Sequence, residues 1–195
     1  MTPSATCCAS ALVIACANVL AAPARAGGDT LPEPIIEVSA EDGRYSIRFE
    51  LETALPLATI HTLVTDYRHL HQINPSIRES RLVAAPRPNE KYVYTRVEGC
   101  VVVFCSELGR LERVHEPSYG VIESEIVPEQ SDFRRGTARW RLESIASGTR
   151  IRYDADFEPK QKLLPWLGPW MVRRVLREQL LTSAARLRGQ SYGRD

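Results

Sequence analysis

Thr137-Ala-Arg-Trp-Arg-Leu-Glu-Ser-Ile-Ala-Ser-Gly-Thr-Arg-Ile-Arg-Tyr-Asp-Ala-Asp-Phe157 decides the fold. Ala138, Trp140 and Leu142 alternate with Arg139, Arg141 and Glu143. After the turn signal Ser147-Gly148, Ile151, Tyr153, Ala155 and Phe157 alternate with Arg150, Arg152, Asp154 and Asp156. A period of two with one dry and one charged face predicts paired antiparallel strands, solvated on one side. The dry face needs a cover, and the chain supplies one further on. Beyond Leu164-Pro-Trp-Leu-Gly-Pro169, the run from Trp170 to Arg188 sets Val172, Val175, Leu176, Leu180, Ala184 and Leu187 on one stripe. Arg173, Arg174, Arg177, Glu178 and Arg186 take the other side, so a long amphipathic helix is expected to lie on the sheet.

Upstream, Tyr45 to Glu52 alternates in the same way and reads as the first strand, preceded by an extended lead-in over residues 27–38. Leu57, Ile60, Leu63 and Val64 then fall at helical spacing between Pro56 and Asp66. A second short helical turn over Tyr67 to Asn74 is stopped by Pro75. Six further strands follow, at Ser76–Ala85, Lys91–Gly99, Cys105–His115, Tyr119–Val127, Thr137–Ile145 and Thr149–Phe157, divided by turn signals. The reading is an α+β domain over residues 39–188 with a tail at 189–195. A curved seven-stranded antiparallel sheet wraps one long C-terminal helix, and two short helices follow the first strand.

Composition narrows the function. With 25 Lys and Arg against 24 Asp and Glu, the 195-residue chain carries a net charge of +1. It lacks the basic excess that drives phosphate binding, so nucleic acid is not an expected partner. A hydrophobic fraction of 44% is enough for a core and excludes disorder.

The first 26 residues read as an address. Ala5 to Ala22 holds no charge, and Ala24 and Ala26 form a small-residue cleavage pattern, which predicts a signal peptide cut after Ala26 and export to the periplasm. Two other readings stand: a lipoprotein site at Cys16, and a retained anchor helix. Cleavage leaves Cys100 and Cys105 as the remaining cysteines, in an oxidising compartment. On one straight strand their Cα atoms would lie about 16 Å apart, so they can join only across a turn. Val101, Val102, Val103 and Phe104 would then be the apolar tip of a hairpin. The other reading is one continuous buried strand with two free thiols.

The element order, the segment Val64-Thr-Asp-Tyr-Arg-His-Leu-His-Gln-Ile-Asn-Pro75, Trp140 and Gly168-Pro-Trp170 together resemble the helix-grip, or START-like (SRPBCC), superfamily, in particular its polyketide cyclase and coenzyme Q-binding branch. The resemblance implies an apolar cavity between sheet and helix that holds a lipid, sterol, quinone or polyketide, with no shared catalytic residues to carry over. Residues expected to line it are Tyr45, Phe49, Tyr94, Trp140, Tyr153 and Phe157 from the strands, and Trp170, Val172 and Leu176 from the helix. The Val101–Phe104 tip and the Trp166/Trp170 rim are candidate contacts with a membrane surface. The expected function is an exported binding or transfer protein for a hydrophobic small molecule. The alternatives are a cyclase or dehydratase with an inward acid or base such as Tyr94 or Glu98, and an envelope interaction module.

Other chemistry is weakly supported. His69 and His71 stand two apart on a short helix and point to different sides, so neither a metal nor a cofactor is expected. Nucleophile-elbow, dinucleotide, P-loop and zincin motifs are absent from the sequence. Asp132 reads as the cap of its own turn, and Glu123 and Glu125 as partners of cross-strand arginines.

Overall fold

The computed structural model describes residues 31–84, 90–101, 104–160 and 169–189, and gives no side-chain environment for residues 101, 104 and 169. The signal-like segment, Val102, Val103 and Trp166 therefore lie outside the described residues, as do the side chains of Val101 and Phe104. No helix of the described residues is long and apolar enough to cross a membrane.

Eight strands form one antiparallel sheet: β1 (Ile35–Glu41), β2 (Arg44–Thr53), β3 (Ile77–Val83), β4 (Lys91–Val101), β5 (Phe104–Ser118), β6 (Val121–Ile126), β7 (Phe133–Ile145) and β8 (Gly148–Pro159). The sequence reading of seven strands is one short. Residues 35–38, assigned above to the lead-in, begin β1, which pairs with β2 from Ile35↔Glu50 to Glu41↔Arg44. The two-residue turn Asp42-Gly43 makes that hairpin; both residues have positive φ, 48° and 82°, the geometry an Asp-Gly turn supplies.

The order across the sheet is β1-β2-β8-β7-β6-β5-β4-β3. Every neighbouring pair except β2–β8 is consecutive in the chain. The link from β2 to β3 must cross from one side of the sheet to the far edge, and α1 (Leu57–Thr65) and a 3-10 turn at Leu70–Gln72 make that crossing. Ile60 and Val64 of α1 enter the core. Thr149 of β8 ties the start of this crossing in place, its hydroxyl donating to the Leu55 carbonyl at 2.7 Å. Gly148 has φ +136°, and a Cβ there would stand 2.2 Å from the Thr53 carbonyl oxygen, so this turn has room only for glycine.

The second helix, α2 (Pro169–Leu187), lies across the concave face and is held on both sides. Arg177 donates to the Ile36 carbonyl of β1 at 3.0 Å, Gln179 donates to the Glu98 carbonyl of β4 at 3.4 Å, and Val175 reaches Gly99. At its C-terminal end the Thr53 hydroxyl donates to the Leu187 carbonyl at 2.9 Å, satisfying one of the acceptors a helix end leaves open. Leu187, Phe49, Leu51, Ile60 and Ile151 are among the fully buried side chains at the centre of the core.

The convex face is a lattice of cross-strand ion pairs. Arg150 bonds Glu52, Arg152 bonds Glu50 and Glu143, and Asp154 meets both Arg48 and Arg141. Glu123 pairs with Arg139 and Glu125 with Arg113, as the alternation indicates. Asp132 does not cap its own turn. Its carboxylate accepts from the Gly109 amide of β5 at 2.7 Å, pinning the loop before β7 to a neighbouring strand.

A candidate ligand site between sheet and helix

Inward-facing residues from the curved sheet and α2 enclose a cavity of about 290 Å³. That is close to the lower end of small-molecule sites, about 300–1,000 Å³. Space remains because a curved sheet stands away from a straight helix, and the α2 side chains at the gap, Val172, Val175 and Leu176, are too short to fill it.

Of the nine residues the sequence puts in the lining, Phe49, Trp140, Tyr153, Phe157, Val172 and Leu176 are on the wall. Tyr45 sits on the same face of β2 but stacks on Phe157, ring centroids 5.5 Å apart, behind the lining. Tyr94 lies elsewhere. On β4 the inward positions are Val93, Thr95 and Val97, which puts Tyr94 and Glu98 on the opposite face. Arg81 covers the Tyr94 ring there, and Arg78 pairs with Glu98. Trp170 is 55% exposed and outside the wall, while its neighbour Met171 is part of it.

One end of the cavity runs up to Gly99 and Ser106, the inward pair next to the hairpin tip. Cys100 and Cys105 are cross-strand partners joined by a disulfide, with Cα atoms 4.0 Å apart. The strands continue past it to Val101 and Phe104, so the connection is two residues shorter than the four-residue loop expected from sequence. Cys100, Cys105 and Trp170 are all exposed.

The wall has a polar centre that the sequence reading did not anticipate. Arg110 and Glu112, both inward on β5, form an ion pair with Nε 3.0 Å from Oε2. Nε also donates to the Thr95 hydroxyl at 3.0 Å, and the Ser124 hydroxyl donates to Glu112 Oε1 at 2.9 Å. Both carboxylate oxygens are therefore occupied. Arg110 keeps a quarter of its side-chain surface accessible, on the cavity side. Burial works against its charge, but Glu112 outweighs burial, and the guanidinium is held more firmly protonated than usual. Tyr153 adjoins Arg110 and its phenol oxygen accepts from the guanidinium; burial pushes the phenol pKa up, with Arg110 offsetting part of the shift.

A second cluster closes the other side of the wall at Tyr67. The Tyr67 hydroxyl donates to Glu116 Oε1 at 3.3 Å, and Lys91 donates to the same oxygen at 2.7 Å. Burial, then the Glu116 charge, drives the Tyr67 pKa up. Burial alone would raise Glu116, but the bond and charge of Lys91 reverse this and hold it below the ordinary carboxylate range.

Residues 46–188 match the family model for polyketide cyclase / dehydrase and lipid transport. Among solved structures, a START superfamily protein from Mycobacterium smegmatis is 26% identical, with a TM-score of 0.55 over 75% of this chain and 94% of its own. The Zhui aromatase/cyclase from Streptomyces sp. R1128 is 15% identical, with a TM-score of 0.58 over 75% and 92%. A STAR-related lipid transfer protein from Xanthomonas axonopodis is 16% identical, with a TM-score of 0.57 over 79% and 97%. The chain matches no curated protein.

Proposed function

The chain belongs to the polyketide cyclase / dehydrase and lipid transport family, and from that premise we propose that it binds one hydrophobic small molecule or lipid, of the sterol, quinone or fatty class, and carries it outside the cytoplasm. The observation that supports this reading best is the cavity itself, about 290 Å³ with a wall that is largely aliphatic and aromatic. Moving an apolar ligand from water onto that wall supplies the driving force, about 25 cal/mol for each Å² of apolar surface removed from water. The signal-like segment and the exposed disulfide favour a site of action in an oxidising compartment. The hairpin tip at Val101–Phe104 and the Trp166/Trp170 rim would meet the membrane while the ligand crosses. Organic extraction and mass spectrometry of the purified mature protein should return a co-purifying lipid or quinone. Recovery of an empty protein that takes up no apolar ligand refutes the reading.

The cyclase or dehydratase reading has one observation in its favour, the Tyr153 phenol and the Glu112 carboxylate on the cavity wall. Against it, Glu112 spends both oxygens on Arg110 and Ser124, so its carboxylate is engaged by the protein's own groups rather than open to a substrate. Turnover of a polyketide-like substrate that Tyr153→Phe abolishes would establish the enzyme instead.

A further inference from the structure

On α2, Trp170, Arg173, Arg174, Arg177 and Leu181 share one face, because steps of three, four and seven residues return to the same side of a helix. All of them are exposed, over a span of about 16 Å. The helix holds four arginines against one glutamate, a net charge of +3, in a chain whose total is only +1. We propose that this face docks the protein on an anionic phospholipid bilayer, with the arginines on lipid phosphates and the Trp170 ring among the headgroups. This rests on the carrier reading above and names the surface at which the carrier loads and unloads.

The charge on this face is available to a partner. Arg173 makes no hydrogen bond or ion pair among the described residues. Arg174 meets Glu178 at 2.9 Å in a pair open to water on both sides, which holds it weakly. Arg177 spends Nη1 on the Ile36 carbonyl, and its other donors have no partner among the described residues. The convex face differs: Arg141, Arg150 and Arg152 are each matched there by a carboxylate on a neighbouring strand. A guanidinium fork fits a phosphate through two parallel bonds, and a large ring with one polar N–H suits the headgroup layer of a membrane. Arginines beside an exposed tryptophan therefore fit a lipid surface better than an acidic polypeptide, which offers no such layer. On the other side of the same turns, Met171, Val172, Val175 and Leu176 are cavity wall. Docking by the outer face leaves one helix, about 10 Å across, between bilayer and cavity.

Co-sedimentation tests this with vesicles of phosphatidylcholine alone and of phosphatidylcholine mixed with phosphatidylglycerol. The wild type should bind the anionic vesicles more tightly than the neutral ones. That preference should fade as salt rises from about 0.1 M to 1 M, where the screening length drops from about 10 Å to 3 Å. Arg173→Gln with Arg174→Gln should weaken binding to anionic vesicles about 25-fold, at about fivefold for each arginine near such a surface. Arg150→Gln with Arg152→Gln removes the same charge from the convex face and should change binding by less than about twofold, since that face is turned away from the lipid. Residues 1–26 are the same in every variant and cancel from each comparison. Equal losses for the two double variants, or equal binding of the wild type to neutral and anionic vesicles, overturn the inference. So does capture of polyglutamate in place of anionic vesicles, which assigns the face to an acidic polypeptide. None of these outcomes touches the carrier reading, which falls only if the protein takes up no apolar ligand.

Discussion

The two faces of the sheet use the same residue types to opposite effect. On the convex face, Arg150 and Glu52 sit in a lattice of pairs, each open to water on one side. On the concave face, Arg110 and Glu112 stand as a single pair in an apolar wall, with Glu112 only 8% exposed. Water does most of the solvation outside, so removing one partner there changes little. Inside, each charge depends on the other.

The largest expected effect breaks this contrast from within. Arg110→Met leaves Glu112 buried without its partner and should destabilise the protein by about 3–5 kcal/mol in urea unfolding. Arg150→Met on the outer face should cost about 1 kcal/mol or less by the same measurement. Equal losses for the two would erase the distinction. Next in size is the disulfide: Cys100→Ser with Cys105→Ser should lower stability by about 2 kcal/mol, the loop-closure contribution of so short a ring, and peptide mapping with and without reductant should show the link in the purified protein.

Glu116 gives a smaller, pH-dependent effect. Its folded pKa lies below the unfolded value, so its contribution is fully present above the ordinary carboxylate range and is lost as pH falls through the folded pKa. Glu116→Gln should flatten the acid limb of stability measured below about pH 4.5 and leave the neutral region nearly level. The smallest effect on equilibrium binding is expected at the tip. Val103→Ser with Phe104→Ser should slow ligand transfer between vesicles while solution affinity stays within about twofold, the range of surface substitutions. Equal loss of both would remove any membrane role for the tip.

Alternation over 137–157 and the 170–188 stripe were enough to give the sheet and its covering helix, while the spacing of Cys100 and Cys105 left two readings, of which the structure has the hairpin with its disulfide. The missing strand, β1, carried its own signal in Asp42-Gly43 after Ile36, Val38 and Ala40, but Pro and Gly upstream made that segment look irregular. Tyr94 was misplaced because aromatic bulk suggested the inside, whereas Thr95 takes the inward position on β4 and gives Arg110 its hydroxyl. The polar centre was unreadable for a related reason. On β5 the frame Leu108, Arg110, Glu112, Val114 looks no more buried than the frame holding Leu111, which is itself covered through Ser131. Only the register with Thr95 and Ser124 on adjacent strands reveals that two charges can be accommodated inside, and register is a property of the assembled sheet.

The β2–β8 seam also bears on how the molecule comes into being. Tyr45 finds its partner at Phe157, and Thr53 at Thr149, so this seam, between the second and third strands from one edge, joins stretches that emerge from the ribosome far apart in time. Contacts so distant along the chain form slowly, because a long loop must close before they repay it. The strands from β3 to β7 pair with their neighbours in sequence and need not wait, so closing this one seam is what completes the sheet.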